Sequence, residues 1–452
     1  MPNSSSTTIK NILVVCPKGS FDSGGIISSF ELIKYLRDQG HHIRVITPWR
    51  ASYNTVLTQN GISNRVIRYN WWTKLDTPKL ISRNAIGSIK SLADEIQKFN
   101  ADVVLTNTSH IPWGALAASM MNIPHVWVVR EYPIKNFEYL AEKVEFIKAY
   151  SNKIMANSSE LADYYKQVYH CDAGRFMSYV DVSGIKLAPK SSEVKLISPN
   201  YMSYGKNQID LVNAVGILKK RRKTVGFRVV LMGEKEKTYW PKLKAAVKKN
   251  NVADLFEIHD RVDNPWSIVT PNDVLVQNSR SESIGRTTTE AMKLGIPVIA
   301  SDIPGHREAF RLGGGTLYEI DNPHDLADKI EYLITHHDDA KEKAQRVRER
   351  VASTMSRDAC NKAVGDAVNE AAGSQNPLGA NALFWPYLRQ YISETEAIIK
   401  AKQRDIDMKN EQTDFLQGAI EELRGSKTYK LGKFQTDTIK KLTFARRRNK
   451  SE

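Results

Sequence analysis

The sequence has few cysteines and no long apolar run. Its 452 residues include three cysteines, Cys16, Cys171 and Cys360, which lie far apart without a Cys-x-x-Cys spacing. This pattern excludes a disulfide-rich scaffold and a cysteine-based zinc site, and it favours a reducing compartment. No stretch approaches the roughly 20 apolar residues that span a bilayer, and the first apolar run stops at Val15. We therefore expect a cytoplasmic protein without a signal peptide.

The chain also lacks a nucleic-acid-binding signature, although its charge is positive. Sixty-five Lys and Arg against 50 Asp and Glu give a net charge of +15, an excess that suits phosphorylated substrates, anionic membranes or nucleic acid alike. Because no RNP, KH or helix-turn-helix pattern is present, we expect no nucleic-acid partner. The composition, 25% charged and 41% hydrophobic, is that of a globular protein long enough for two cores.

Short apolar runs alternate with helical patterns along most of the chain. Five runs in the first half predict strands, at residues 11–16, 43–47, 102–106, 125–129 and 153–157. A polar stretch at 189–192 follows, and five more runs predict strands at 194–198, 228–232, 254–258, 273–277 and 296–300. Strands that alternate with helices predict doubly wound parallel sheets. The sequence thus predicts an α/β protein of two Rossmann-like domains facing a cleft, with ligands beyond the carboxyl ends of the strands.

These patterns divide the chain into four parts. We predict Rossmann-like domains at 1–190 and 191–357, a helical extension at 358–424 and a basic amphipathic tail at 425–452. Within the extension, residues 384–403 and 405–423 predict two helices. Residues 424–452 hold ten Lys or Arg against two acidic residues, with apolar side chains between them. An anchor on an anionic membrane surface and a solvated tail both fit this pattern.

The most informative stretch is residues 281–300, Ser-Glu-Ser-Ile-Gly-Arg-Thr-Thr-Thr-Glu-Ala-Met-Lys-Leu-Gly-Ile-Pro-Val-Ile-Ala. It predicts a loop turning at Gly285, a helix of about two turns ended by Gly295, and a buried strand. At about 1.5 Å per helical residue, Glu282 and Glu290 lie roughly 8–12 Å apart, close to the span of a diphosphate. N–H groups at a helix start bind phosphate oxygens, which leaves one carboxylate for hydroxyls on each side. Two solvent-facing glutamates are the alternative interpretation.

This stretch resembles the signature of retaining GT-B glycosyltransferases of glycosyltransferase family 4. The likeness covers Asn11 to about His337 and includes, in the family's order, segments 23–25, 101–107, 156–158, 204–207, 232–233 and 314–318. The resemblance implies a GT-B fold with the acceptor on the first domain and a nucleotide-sugar donor on the second. It implies transfer of a sugar to a glycan or lipid-linked acceptor in surface polysaccharide biosynthesis, with retention and without a metal or other cofactor. Peripheral association with the inner face of the cell membrane would fit this activity.

The resemblance also implies roles for residues of the second domain. Glu282 would accept hydrogen bonds from hydroxyls of the transferred sugar, and Glu290 would hold the ribose. Lys206 would neutralise the leaving diphosphate, which is the main electrostatic demand when a glycosyl bond breaks. The loop residues beside the diphosphate would be Ser283, Ile284 and Gly285.

Some site residues match the family and others depart from it. Gly24 and Gly25 would let the backbone of the first domain approach the phosphates, since a Cβ there would clash. Family members commonly carry an arginine five or six residues before the lysine, where this chain has Asn200 and Tyr201. Arg286 either supplies that charge or is an exposed arginine at a helix start.

A second departure follows the strand that ends at Val129. The family often has a histidine there, and this chain has Arg130, Glu131 and Tyr132. Arg130 and Glu131 either face a substrate, which makes Glu131 a candidate catalytic residue, or form a plain ion pair. No side chain is assigned as general base, because in this fold the leaving phosphate is thought to help deprotonate the acceptor.

Other features leave alternatives open. A nucleotide-sugar-binding non-transferase of the same fold, such as an epimerase or an inactive partner subunit, is the alternative function, and the missing arginine favours it. Asp405 and Asp407 have the Asp-x-Asp spacing of metal sites in other glycosyltransferases, but positions two apart on a helix point to nearly opposite sides, so we expect no metal. Tyr69, Trp71 and Trp72 either stack on a sugar or make core or loop contacts.

Overall fold

A computed structural model describes residues 9–72, 78–222, 225–378 and 384–448 of the chain. It divides into two compact units, Met1–Leu383 and Phe384–Glu452. The first unit contains two lobes, each built on its own parallel sheet, and the second is helical. The predicted α/β class with two parallel-sheet domains is confirmed.

The first lobe is built on a seven-stranded parallel sheet of order β3-β2-β1-β4-β5-β6-β7. Its strands are β1 Asn11–Val15, β2 His42–Thr47, β3 Ser63–Val66, β4 Val103–Thr106, β5 His125–Val129, β6 Lys153–Ala156 and β7 Gly174–Arg175. Its helices are α1 Gly24–Asp38, α2 Ser52–Gln59, α3 Pro78–Phe99, α4 Trp113–Met120, α5 Val144–Ala149 and α6 Ser159–Tyr169, and Lys135–Lys143 is 3-10 helical. The five strands predicted for this half are present.

The central strand shows why this sheet is buried on both faces. Side chains alternate along a strand, so Ile12 and Val14 of β1 pack in the core on one face of the sheet. Leu13 and Val15 pack in the core on the other face. A continuous apolar run is therefore the pattern that a parallel strand between two helical layers requires.

The aromatic residues after β3 belong to the packing of this lobe. The Tyr69 hydroxyl is buried and donates a hydrogen bond to the carbonyl oxygen of Cys16 at 2.6 Å. The indole N–H of Trp71 donates to the Pro17 carbonyl oxygen at 2.9 Å, and Trp72 packs against other aromatic rings of the lobe. These contacts agree with the core interpretation of the three aromatics.

The second lobe repeats the architecture with a six-stranded parallel sheet of order β10-β9-β8-β11-β12-β13. Its strands are β8 Val194–Ser198, β9 Phe227–Met232, β10 Phe256–His259, β11 Val274–Gln277, β12 Val298–Ser301 and β13 Thr316–Tyr318. Its helices are α7 Gln208–Arg221, α8 Trp240–Lys249, α9 Arg286–Leu294, α10 Pro304–Phe310, α11 Pro323–Thr335 and α12 His337–Thr354. Short 3-10 helices lie at Ala253–Leu255 and Pro265–Ile268.

Two chain crossings join the lobes. The chain passes to the second lobe after β7 and returns through α13, Arg357–Ala372, whose Val364 and Val368 pack in the core of the first lobe. On α9, the Lys293 ammonium donates to the carbonyl oxygens of Val180 at 2.8 Å and Met355 at 3.0 Å, one on each crossing. Both crossings are thus held to one helix of the cleft.

The second unit consists of two long helices, α14 Phe384–Gly425 and α15 Lys427–Arg448. Where the sequence predicted two helices at 384–403 and 405–423, α14 is continuous, because no glycine or proline interrupts the pattern at Arg404. Ser426 separates α14 from α15, and its hydroxyl accepts a hydrogen bond from the Tyr429 backbone N–H at 3.2 Å. Within the described ranges, none of the helices combines the length and apolarity needed to cross a bilayer.

Candidate active site

A cleft of about 820 Å³ lies between the two lobes, at the carboxyl ends of both sheets. Its walls come from the loops that follow β1, β5 and β6 in the first lobe and β8, β9 and β11 in the second. All ten candidate residues from the sequence line it: Gly24, Gly25, Glu131, Lys206, Glu282, Ser283, Ile284, Gly285, Arg286 and Glu290. The fold therefore brings together residues that are up to 266 positions apart, from Gly24 to Glu290 (290 − 24).

Two helices begin at the cleft, one in each lobe. Helix α9 starts after Gly285, which has a left-handed φ of +60°, and ends at Gly295, φ +73°, as the sequence predicted. Helix α1 starts at Gly24, so Gly24 and Gly25 form its first turn. Neither helix start carries a side-chain cap. The N–H groups of a first helical turn have no partner within the helix, so both helix starts can bind an anion in the cleft.

Glu282 lies in the loop before α9 and is bonded to a lysine from another loop. Its Oε1 forms an ion pair with the Lys206 ammonium and accepts a hydrogen bond from the Ser279 hydroxyl at 3.0 Å. Burial raises the pKa of Glu282, but the Lys206 ammonium, together with His306 and the Ser279 hydrogen bond, leaves the pKa below its usual value. Gly305 backs the loop, since a Cβ there would collide with the carbonyl oxygen of Glu282.

Glu290 lies one turn inside α9 and has two partners of its own. Its Oε1 is 3.0 Å from Nε of Arg286, and its Oε2 accepts a hydrogen bond from the Trp266 indole N–H at 2.9 Å. Burial raises the pKa of Glu290, and the Arg286 charge and the Trp266 hydrogen bond offset this only in part. Glu282 and Glu290, the carboxylates on either side of the start of α9, are therefore each paired with one cation.

Arg286 lies where the lobes come close. A Cβ on Gly24 would be 3.5 Å from Cδ of Arg286, so the first turn of α1 faces this side chain across the cleft. The Arg286 side chain is 19% exposed, which differs from the exposed arginine of the alternative interpretation. Its Nη1 is buried and has no hydrogen-bond partner among the described residues. A cation with a free N–H group is thus available between the two helix starts.

Glu131 is fixed by the loop that follows β4. Its Oε1 accepts a hydrogen bond from the Thr108 hydroxyl at 2.9 Å, and its Oε2 accepts one from the Ser109 backbone N–H at 2.9 Å. Burial raises the pKa of Glu131, but nearby His110 and these hydrogen bonds leave it below its usual value. The Arg130 guanidinium does not pair with this carboxylate and bonds to other side chains instead.

Three further residues line or support the cleft and were not assigned from the sequence. Asn157 donates to the Ser283 hydroxyl at 2.9 Å, across the two lobes. Trp266 holds Glu290, and nothing in the sequence around it indicates this contact. The His306 ring lies beside Gly285, with Nδ1 2.8 Å from the Ser301 carbonyl oxygen. Asn157 could have been identified from the sequence, because it lies in segment 156–158 of the family pattern.

Among the residues described, no group of three or more His, Cys, Asp and Glu side chains could hold a metal ion. Asp405 and Asp407 lie exposed on α14, where Asp407 accepts a hydrogen bond from Gln403 at 2.9 Å.

Two protein-family models match separate parts of the chain. Residues 23–177 match the family model Glycosyltransferase Family 4, and residues 184–353 match the family model Glycosyl transferases group 1. The boundary between the two matches falls in the crossing from the first lobe to the second. Each family model therefore corresponds to one lobe.

Curated relatives match shorter parts of the chain. The chain is 35% identical to the O-antigen biosynthesis glycosyltransferase WclY of Escherichia coli over 121 residues, 25% of this chain and 34% of the relative. It is 32% identical to the D-inositol 3-phosphate glycosyltransferase of Paenarthrobacter aurescens over 125 residues, 27% of this chain and 31% of the relative. The chain thus spans about a third of the length of each of these two curated relatives.

Solved structures match the architecture over a larger part of the chain. A glycosyltransferase from Rickettsia africae superposes with a TM-score of 0.65 at 22% identity, covering 80% of this chain and 99% of that one. HepE of Anabaena, solved in complex with UDP-glucose, superposes with a TM-score of 0.66 at 17% identity, covering 80% and 100%. The chain has the GT-B fold, and each of its two lobes is matched by a glycosyltransferase family model.

Proposed function

We propose that this chain transfers a sugar from a nucleotide-sugar donor to a glycan or lipid-linked acceptor, with retention and without a metal ion. The observation that carries the proposal is the arrangement around the start of α9, where two carboxylates lie in the cleft and each is bonded to a cation. Both glycosyltransferase family matches support it, as does the similarity in fold to a protein solved with UDP-glucose.

The donor diphosphate would rest on the start of α9. Lys206 and Arg286 bring two positive charges to this region, and the first turn of α1 approaches it from the other lobe. Glu282 on one side would accept hydrogen bonds from hydroxyls of the sugar, and Glu290 on the other side would accept them from the ribose. Because the Glu282 pKa is lowered, this carboxylate is ionised at neutral pH and accepts hydrogen bonds strongly.

The reaction would exchange one bond at the anomeric carbon for another. The bond from that carbon to the diphosphate oxygen breaks, and Lys206 stabilises the charge that develops on the leaving group. The acceptor hydroxyl oxygen bonds to the same face of the sugar, and its proton passes to the leaving phosphate oxygen. Glu131 is a weak base, since its pKa is lowered. We assign to Glu131 the positioning of an acceptor hydroxyl and not the removal of its proton.

The second unit would bring the enzyme to its acceptor. The sequence of α15 contains eight Lys and Arg residues and one acidic residue, Asp437. The apolar side chains of Tyr429, Leu431 and Phe434 are exposed. A basic helix with exposed apolar side chains suits an anionic membrane surface. We therefore place the protein in the cytoplasm, peripheral to the inner face of the membrane, with a glycan or lipid-linked acceptor and no nucleic-acid partner.

A thermal-shift screen against UDP, GDP, ADP and their sugars tests the proposal. A ligand at 100 times its Kd adds about 2.7 kcal/mol to the free energy of unfolding, so the correct nucleotide should raise Tm clearly. Release of the nucleoside diphosphate should then occur in EDTA as fast as without it. Binding without turnover in the presence of acceptor extracts would favour the inactive partner subunit, and no binding would refute the proposal.

A further inference from the structure

Arg130 is a buried cation at the floor of the cleft. It directly follows β5, lines the cleft and is only 8% exposed. Its guanidinium donates to Oδ1 of Asn107 from Nε at 3.1 Å and Nη2 at 3.0 Å, and to the Ser178 hydroxyl from Nη1 at 2.9 Å. These partners are neutral, and Nη1 and Nη2 each carry a second N–H group. Arg130 is therefore held firmly and can donate further hydrogen bonds.

Arg130 differs from Lys206 and Arg286 because its guanidinium forms no ion pair with a carboxylate of the described residues. Lys206 is paired with Glu282 and Arg286 with Glu290, whereas no carboxylate in the described part of the chain bonds to the Arg130 guanidinium. The adjacent Glu131 directs its oxygens to Thr108 and Ser109. Burial lowers the pKa of Arg130 to about 10, so the group remains charged at neutral pH. Buried charges in proteins are usually paired, because desolvation without a partner is costly.

The position of Arg130 indicates which part of a substrate it would meet. Strands β5 and β6 pair with Val129 opposite Ala156, which places Arg130 beside Asn157. Asn157 in turn donates to Ser283, the residue after Glu282. Arg130 thus lies toward the Glu282 end of the cleft, where the proposed function places the sugars that react.

We propose that Arg130 binds the carboxylate of an acidic sugar, so that one of the two reacting sugars is a uronate. This inference rests on the proposed function, because that function fixes what lies at the Glu282 end. A guanidinium presents two parallel N–H donors that match a carboxylate, and the hydrogen bonds to Asn107 and Ser178 hold it in place. A hydrogen bond to a charged group changes affinity by roughly 10- to 100-fold, which sets the expected preference for a uronate over its neutral analogue.

Calorimetric titration with matched donor pairs tests the inference. UDP-glucose is compared with UDP-glucuronate and GDP-mannose with GDP-mannuronate, on the full-length protein and on Arg130→Gln. The wild type should bind the uronate of one pair roughly 10- to 100-fold more tightly, and Arg130→Gln should bind both members equally. Its affinity for UDP or GDP alone should not change. Arg346→Gln, the same substitution at an exposed arginine of α12, should keep the wild-type preference.

A second arm separates donor from acceptor. If neither pair shows a preference, free glucuronate is titrated into protein saturated with UDP or GDP, and binding that requires Arg130 assigns the carboxylate to the acceptor. Should Arg130→Gln fold poorly, Arg130→Lys replaces it, because lysine keeps the charge without the planar donors. A uronate preference that is present in the wild type and lost in Arg130→Lys then supports the inference.

Two results overturn the inference. One is the absence of any uronate preference together with no Arg130-dependent glucuronate binding. The other is an equal loss of affinity for UDP or GDP alone, which would make Arg130 a diphosphate ligand. If the wild type binds no nucleotide, the proposed function itself fails, and the inference falls with it.

Discussion

Replacing Lys206 by methionine should lower the free energy of unfolding by roughly 2–3 kcal/mol. The variant leaves the Glu282 carboxylate in the cleft wall with the Ser279 hydroxyl as its remaining hydrogen-bond partner. The side chains of the pair are 29% and 20% exposed. Surface pairs contribute about 0–1 kcal/mol, while removing one partner of a fully buried pair costs about 3–5 kcal/mol. A pair that is about three-quarters buried lies between these limits.

Replacing Glu282 by glutamine should lower the free energy of unfolding by less than Lys206→Met does. In Glu282→Gln the side chain keeps an oxygen for Ser279, and the flexible stem of Lys206 can carry its ammonium to solvent, so we expect a loss of about 1 kcal/mol. The double variant should lose less than the sum of the single losses, because the methionine no longer leaves a carboxylate unpaired. The two single substitutions differ in their expected cost because the Lys206 ammonium can reach solvent, whereas the Glu282 carboxylate stays in the cleft wall.

Denaturant unfolding followed by tryptophan fluorescence measures these values, since Trp240 and Trp266 lie in the same lobe as the pair. Lys362→Met is the matched control, because Lys362 pairs with Asp366 on the surface of α13, with side chains 69% and 52% exposed. The control should change stability by no more than about 0.5 kcal/mol. If Lys206→Met costs no more than Lys362→Met, the argument for a desolvated ion pair in the cleft is wrong.

Three further outcomes are expected. Trp266→Phe removes the indole N–H that holds Glu290 and should weaken donor binding about tenfold in a titration; unchanged affinity would show that Glu290 needs no such support. Burial raises the Glu290 pKa above the value of 4.5 that it has without burial, so the folded state binds the proton more tightly and loses stability as the pH rises from 4.5 through the folded pKa. Glu290→Gln should therefore be at least as stable as the wild type at pH 7 in urea unfolding, and a clear loss would contradict this sign. Full-length protein should co-sediment with anionic liposomes and a 1–424 truncation should not, whereas equal sedimentation would remove the role of the tail.

The central strands could be predicted from the sequence, while three strands at or near the sheet edges could not. Strands buried on both faces need continuous apolar runs, and all ten predicted strands are present. The strands missed were Ser63–Val66, Gly174–Arg175 and Thr316–Tyr318, which have two to four residues each. The first two are largely exposed. Their pairing depends on the neighbouring strand, so their own residues carry little signal.

The site shows the same division between local and long-range information. The loop and helix around Gly285 could be predicted because glycine at a left-handed φ and the glycine that ends the helix are local features. The contact of Trp266 with Glu290 could not, since it joins the 3-10 helix Pro265–Ile268 to α9, two elements that only the fold brings together. The environment of Arg130 was equally hidden, because Arg130, Asn107 and Ser178 follow three different strands, β5, β4 and β7. The sequence identified ten residues that line the cleft, and the structure showed how they are bonded and which further residues support them.

The central claim is that Glu282 and Glu290 hold a nucleotide-sugar donor across the start of α9. Its most direct test is the rate of nucleoside diphosphate release from the donor found by thermal shift, measured for Glu282→Ala and Glu290→Ala against the wild type. Each substitution should lower the rate by roughly 10² or more, because each removes a hydrogen bond made to the donor in the transition state. Near-normal turnover in both variants would contradict the account.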